Sequence, residues 1–315
     1  MPFVTAFYRA LGTGMVISVD SPIDDKVRSA MESLIEDYEH VLSRFRNDSL
    51  IAAIGKAEHG GSFDFPDWCA PLFDLYDALF SATSGEIDPC VGEDLIRLGY
   101  DASLSFTVTQ DAPEHLGALR GRAVWGRDVT RHGTTLVTHE PVQLDFGACG
   151  KGYLVDLLGR MLQSSQFVID AGGDLLIHTE QPIAVALEDP EDQSHAIGIA
   201  HIANGALCAS APSRRHWNVA VNERTQIAIH HLLNAIDGLP AQQTEASWAY
   251  VPANATLNLA RDYPTAVADG LATALFVSDV AQLQRTFDFT YATLDESRQI
   301  AVSRNFPADL FLRSA

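Results

Sequence analysis

A chain of 315 residues, 47% of them hydrophobic, can bury a substantial core in one large domain or two closely joined ones. Its 41 Asp and Glu against 21 Lys and Arg give a formal net charge of −20, which argues against nucleic acid and anionic membrane as partners. The same field repels a nucleotide, so a phosphate site must be made locally electropositive by a metal ion, a few basic side chains or backbone N–H groups.

Four cysteines, Cys69, Cys90, Cys149 and Cys208, are widely spaced with no CxxC, which indicates buried free thiols rather than a zinc site or a disulfide framework. No run approaches a membrane span. The start, MPFVTAFYRALGTGMVISVD, lacks a charged segment followed by an unbroken apolar stretch, so the expectation is a soluble cytoplasmic protein.

From Phe3 to Val19, apolar and small residues alternate on either side of Leu11-Gly-Thr13, which predicts two strands. Asp24 to Phe45 is the clearest helix, with Val27, Met31, Leu34, Ile35, Tyr38, Val41, Leu42 and Phe45 in one core-facing stripe. It runs into Leu42-Ser-Arg-Phe-Arg-Asn-Asp-Ser49, where Arg44 and Arg46 suit the negative end of the helix dipole. Asp67 to Ser84 reads as a second amphipathic helix. In Glu86-Ile-Asp-Pro-Cys-Val-Gly92, Pro89 fixes an extended conformation at Asp88. That leaves the backbone of residues 86 to 88 free for hydrogen bonds, although a plain turn explains the bare motif as well. Ala123 to Asp145 reads as strands, with a hairpin turn at His132-Gly133.

The stretch from Gln143 to Leu162 reads as a strand, a glycine turn and an amphipathic helix carrying Leu154, Leu157, Leu158, Met161 and Leu162. Gly147, Gly150 and Gly152 let backbone approach a ligand, and Asp145 and Lys151 sit where a helix N-terminus offers free N–H groups to an anion. The spacing is neither a Walker A loop nor GxGxxG, and an ordinary connection is the competing reading. Phe167 to Leu175 is a strand running into the double glycine Gly172-Gly173. Pro182 to Glu188 and Ala196 to Ile202 are further strands. Arg214 and Arg215 stand out in so acidic a chain and suit phosphates, a partner or plain solvent. In Ile229-His-His-Leu-Leu-Asn234, neighbouring strand histidines point to opposite faces, so one at most faces a given site. On the helix Asp262 to Ser278, Asp269 and Thr273 are four apart and share a face. They are hard oxygen donors that suit Mg²⁺, or a solvated pair. A helix at Ala281 to Thr286 and closing strands complete the chain.

Asp145-Phe-Gly-Ala-Cys-Gly-Lys-Gly-Tyr153 resembles the DLGGIAKGY segment of the ApbE family, the FAD:protein FMN transferases. Ala268-Asp-Gly-Leu-Ala-Thr-Ala-Leu-Phe276 is similar to that family's ADALATALF segment. Supporting segments occur in order: Leu42 to Ser49 for F-S-x-Y-x-x-D-S, Glu86 to Gly92 for the F-D-P-T-V-G region, Ala171 to Asp174 for A-G-G-D, and His230 to Asn234 for H-H-I-I-D. The resemblance covers residue 11 to about 276. The chain departs from the family pattern at Leu11 (for Met), Phe45 (for Tyr), Ala211-Pro212 (for Gly-Asp) and Ala235 to Gly238 (for P-R-T-G).

The resemblance implies an α+β fold over 1–315 as a single ApbE-like domain. Helices at 24–45, 67–84, 150–163 and 264–278 would pack on mostly antiparallel sheets, with FAD in a cleft. It implies cleavage of FAD between its phosphates, transfer of FMN to a Thr or Ser hydroxyl of a target flavoprotein, and release of AMP. Mg²⁺ would be held by the Ala148 carbonyl, Asp269 and Thr273. Flavin-nucleotide contacts would fall on Leu11, Phe45, Glu86, Ile87, Asp88, Asp145, Lys151 and Leu233. His231, aligned with the motif, is the candidate general base, and Asp269 the metal-holding catalytic carboxylate. Hydrolysis of FAD to FMN and AMP, and FAD binding without catalysis, are the alternatives.

Overall fold

The computed structural model describes residues 1–222 and 225–311. Its strands are β1 Phe3–Ala10, β2 Thr13–Val19, β3 Gly61–Asp64, β4 Val129–His132, β5 Thr135–Thr138, β6 Phe167–Asp170, β7 Asp174–Glu188, β8 Ala196–Ser210, β9 His216–Asn222, β10 Thr225–His230, β11 Leu233–Asn234, β12 Leu239–Pro240, β13 Thr244–Pro252, β14 Thr290–Asp295, β15 Ile300–Val302 and β16 Ala308–Leu310. Its helices are α1 Asp25–Leu42, α2 Leu50–Lys56, α3 Ala70–Ala82, α4 Gly92–Arg97, α5 Ala112–His115, α6 Gly150–Gly159, α7 Asn258–Asp262, α8 Pro264–Ala274 and α9 Val280–Leu283.

A nine-stranded sheet runs β1-β2-β6-β7-β8-β13-β14-β15, with β16 paired to β8. A three-stranded sheet and the pairs β9–β10 and β11–β12 lie apart from it. Every pairing between these strands is antiparallel, so the fold is α+β with helices on antiparallel sheets. Period-two alternation sends Ala246 and Trp248 of β13 into the core on one face of the large sheet, and Ala249 and Val251 into the main core under the helices. Among the described residues, no helix is long and apolar enough to cross a membrane. All four cysteines are free and buried, as expected.

Helix α8 is nearly enclosed: Thr265 through Ala272 are all buried. Its Ala and Gly residues make this possible, since they let the sheet, α3 and α6 approach the helix closely. Ser247 Oγ of β13 donates to the Ala272 carbonyl at 2.6 Å, and a Cβ on Gly270 would lie 2.8 Å from Leu79 of α3. Helices α6 and α8 each cap the first turn of the other with a carboxylate from further along. Asp156 of α6 accepts the amides of Thr265 at 3.1 Å and Ala266 at 2.8 Å, while Asp269 of α8 accepts that of Gly152 at 3.0 Å. Burial pushes the Asp156 carboxyl up to about 7, with the Ala266 and Thr265 hydrogen bonds pulling the other way.

Several boundaries differ from the sequence reading. The helix expected from Asp67 opens as a 3₁₀ turn at Asp67–Cys69, and α3 begins at Ala70 with Pro71 in its first turn. Helices α6 and α8 stop at Gly159 and Ala274, short of 163 and 278. Of Ala123 to Asp145, only β4 and β5 are strands, and the Asp128 carboxylate takes the Val124 amide at 2.8 Å. Helix α2, capped by Ser49 Oγ on the Ala52 amide at 3.1 Å, had no apolar stripe long enough to announce it.

Gly152 is the contact that sets the α6–α8 spacing, because a Cβ there would lie 2.3 Å from the Thr265 carbonyl oxygen. Gly152→Ala is expected to lower stability by about 2–3 kcal/mol, the usual cost of overpacking where backbone must move. Chemical denaturation of the purified variant checks this.

Candidate functional site

Lys151, in the first turn of α6, is the centre of the site. Its ammonium contacts the Asp174 carboxylate and lies 3.3 and 3.5 Å from the two oxygens of Asp269. Both carboxylate side chains are buried, and that of Lys151 is 35% exposed. Burial disfavours the charged lysine, but Asp174 and Asp269 outweigh it and hold its pKa above the ordinary lysine value. Burial, reinforced by the charge of Asp174, raises the Asp269 carboxyl to about 7, against the pull of Lys151 and the Gly152 amide.

Two carboxylates sharing one ammonium leave an excess negative charge, and Asp174 Oδ1 is buried with no hydrogen-bond partner. Thr273 lies one helical turn after Asp269 and is half-buried. The turn before α6 abuts this helix, since a Cβ on Gly270 would be 3.4 Å from that of Cys149. Among the described residues, the Ala148 carbonyl accepts no backbone hydrogen bond. A carbonyl, a hydroxyl and a carboxylate are the kind of oxygen donors a hard divalent cation takes, so the chemistry of these residues fits Mg²⁺.

A second group surrounds Asp145. Its carboxylate pairs with Arg44 Nε and accepts the Gly147 amide at 2.6 Å, and its own amide donates to the Pro89 carbonyl at 2.7 Å. The Arg44 guanidinium lies 4.2 Å from the Phe45 ring centre and 4.6 Å from that of Tyr100. Tyr100 stacks on Trp217 at 5.9 Å, and Phe45 is 42% exposed beside this cluster. Leu11 lies in the tight β1–β2 turn at φ 52°, its amide held by Glu39 Oε1 at 2.8 Å.

The two histidines part as their adjacency implies, although β10 ends at His230 and His231 lies beyond the strand. His230 Nε2 donates to the Ala241 carbonyl at 2.7 Å and Nδ1 accepts the Leu232 amide at 3.2 Å, so both nitrogens serve the fold. His231 Nδ1 donates to the Arg215 carbonyl at 3.2 Å, which fixes the tautomer whose Nε2 is a lone-pair acceptor. Burial lowers its pKa to about 4, the Arg215 carbonyl opposing weakly, so the ring is neutral over most of the pH range.

The 86–88 segment is more committed to the fold than the sequence reading allowed. The amides of Glu86 and Ile87 donate to the carbonyl and hydroxyl of Thr83, at 3.1 and 3.0 Å. The Asp88 carboxylate accepts the Cys90 amide at 2.8 Å and meets Arg122 at 3.5 Å. Arg122, fully buried, also binds Asp94 at 2.8 Å and the Ala235 carbonyl at 2.7 Å. It thereby ties this segment to the stretch after buried Leu233. Glu86 accepts Ser278 Oγ at 2.6 Å and Asn234 Nδ2 at 3.3 Å. Two surface hollows, one of about 290 Å³ between β1 and α1 and one of about 100 Å³ beside Trp248, include neither Lys151 nor Asp269.

Sequence reasoning passed over Asp174, Arg44 and Tyr100. Asp174 closed the double-glycine motif without a role, and Arg44 was read as a helix-dipole partner. The structure also separates the two conspicuous arginines. Arg214 pairs with Glu188, while the Arg215 guanidinium lies 5.7 Å from the Tyr100 ring centre, near His231.

Fold and site together define an α+β protein with a carboxylate–lysine cluster and an aromatic group around the Arg44–Asp145 pair. The ApbE family signature spans residues 11–293, and the chain belongs to the ApbE family. It is 22% identical over 274 residues to the FAD:protein FMN transferase of Klebsiella pneumoniae (strain 342), covering 83% of this chain and 74% of that protein. It is 24% identical over 302 residues to the FAD:protein FMN transferase of Treponema pallidum (strain Nichols), covering 80% and 72%. Among solved structures, it superposes on the ApbE protein of Thermotoga maritima with a TM-score of 0.79 at 19% identity, over 98% of this chain and 99% of that one. For the flavin transferase ApbE of Vibrio cholerae, the TM-score is 0.75 at 18% identity, over 96% and 98%.

Arg44 and Asp145 are both largely buried, at 7% and 14% side-chain exposure. Arg44→Met would leave a buried carboxylate without its counter-charge, at a cost of about 3 kcal/mol, and Arg44→Met/Asp145→Asn should recover part of it. Urea titrations of the single and double variants test this.

Proposed function

We propose that this chain, acting as one unit over 1–315, is a Mg²⁺-dependent FAD:protein FMN transferase. It cleaves FAD at the pyrophosphate, passes FMN to a Thr or Ser hydroxyl of a target flavoprotein and releases AMP. The observation that carries the reading is the Lys151–Asp269 contact between α6 and α8, with Lys151 also held by Asp174, in a member of this family. Membership of that family and the relatives' names support the chemistry, and the site chemistry fits it.

Ala148, Asp269 and Thr273 would hold Mg²⁺, which when bound neutralises phosphate charge. Lys151 supplies a permanent positive charge for a phosphate oxygen, kept protonated by Asp174 and Asp269. Leu11, Phe45, Glu86, Ile87, Asp88, Asp145 and Leu233 line the flavin-nucleotide side. Phe45 offers an exposed ring face there, and the Arg122 bridge keeps the 86–88 segment and Leu233 in register. His231 Nε2 takes the proton of the acceptor hydroxyl, its ring oriented by Nδ1 on the Arg215 carbonyl. A neutral ring at pH 7 is ready to accept, although its low basicity requires the transfer to be coupled to attack.

AMP release from FAD should require Mg²⁺, stop with EDTA and fall by about a hundredfold or more in Asp269→Ala. AMP with a mass gain on an acceptor protein identifies the transferase, and AMP without one identifies an FAD hydrolase. FAD binding with no AMP, acceptor present, identifies a non-catalytic binder. With Mg²⁺ saturating, so that Asp269 is held ionised, the acid limb of the rate profile should lie near pH 4, where His231 protonates, rather than at the ordinary 6.5. Activity therefore holds as pH falls through 6.5, and His231→Ala should lower the rate by about 10²–10⁴.

A further inference from the structure

We propose that Asp174 is a positioning residue that draws the Lys151 ammonium away from Asp269, and so keeps the Asp269 carboxylate open to a divalent cation. The inference rests on the transferase reading only for the assignment of that cation to Asp269. Asp174 is the first residue of β7 and 1% exposed. The double glycine before it turns at φ 69° and 107°, and Asp170 Oδ1 takes both glycine amides, at 3.0 and 3.2 Å. The turn thus satisfies its own backbone and leaves the Asp174 carboxylate to face the lysine.

The three charged groups are not equivalent. Lys151 is in tight contact with Asp174 Oδ2 but stands 3.3 and 3.5 Å from Asp269, whose Oδ2 already accepts the Gly152 amide. Without Asp174, the ammonium would have one carboxylate left to pair with, and a closed Lys151–Asp269 pair would occupy the oxygen a cation needs. With Asp174 present, the cluster keeps one surplus negative charge and an unpartnered carboxylate oxygen, Oδ1. A buried carboxylate is costly unless compensated, so its retention beside a second one calls for a role. Holding the lysine while a cation sits at Asp269 is a role the distances support.

Mn²⁺ affinity, read by electron paramagnetic resonance without FAD or acceptor, is the direct probe. Asp174→Asn should weaken Mn²⁺ binding by about tenfold or more. Lys151→Gln removes the competing ammonium and should tighten it. The double variant should bind within about threefold of Lys151→Gln alone, because Asp174 acts through the lysine. Unchanged affinity in Asp174→Asn, or losses that simply add in the double variant, would overturn the proposal. Absence of any Asp269-dependent Mn²⁺ binding would overturn it together with the metal-dependent reading. AMP release with intact Mn²⁺ binding in Asp174→Asn would sink the inference alone.

If Lys151→Gln does not fold, nitrogen-15 spectra of the lysine side chains decide. The Lys151 ammonium should remain protected from solvent exchange when Mg²⁺ is added to the unmutated protein, whereas in Asp174→Asn it should stay paired with Asp269 without Mg²⁺ and lose protection as added Mg²⁺ displaces it. Loss in the unmutated protein contradicts the proposal.

Discussion

An ammonium shared by two buried carboxylates is the constraint on which this structure turns. Lys151 comes from α6, Asp269 from α8 and Asp174 from β7, so one charge cluster joins both inner helices to the large sheet. Charges are placed there at a cost, and backbone N–H groups offset part of it. That is why the two helices cap each other: Asp269 takes the Gly152 amide and Asp156 takes the first amides of α8. The small residues of α8 follow from the same demand. A helix that must bring its carboxylate to a lysine beneath a sheet cannot also carry bulky side chains on its packed faces.

Much of this was legible in the sequence. The four principal helices, the β1–β2 turn, the β4–β5 hairpin and the glycine turn before α6 announced themselves by apolar period and turn chemistry. Asp145 and Lys151 stood out because they flank a glycine turn at a helix N-terminus, and Asp269 because it shares a helix face with Thr273. Asp174 did not, since a carboxylate after two glycines reads as a turn until its neighbours are known. Tyr100 and Trp217 come from segments more than a hundred residues apart and meet through the Leu95–Leu98–Leu116 core, a contact no local pattern encodes. The 86–88 segment was misjudged for a related reason. Its hydrogen-bond partners, Thr83 and Arg122, lie outside the motif that drew attention to it.

The acidic character of the chain gives its few inward-facing cations disproportionate weight. Arg44 holds Asp145 under two aromatic rings, Arg122 welds two loops from the inside, and Lys151 balances the central carboxylates. Arg44 and Arg122 are buried ion-pair partners, in contrast to a surface arginine paired in water. These three cations thus act on the interior, while arginines of the surface pair with exposed carboxylates.

The cysteines have a practical meaning that follows from where they lie. Cys69 precedes α3, Cys90 has its amide on Asp88, Cys149 leads into α6, and Cys208 lies against the first turn of α8, with Sγ 3.5 Å from the Thr265 carbonyl. Each is closed to solvent in the folded state. A thiol reagent can reach one only when the core around it opens, so the four alkylation rates show whether the main core opens in parts or all at once. The chain carries its own set of reporters, and no foreign label has to be introduced to time that opening.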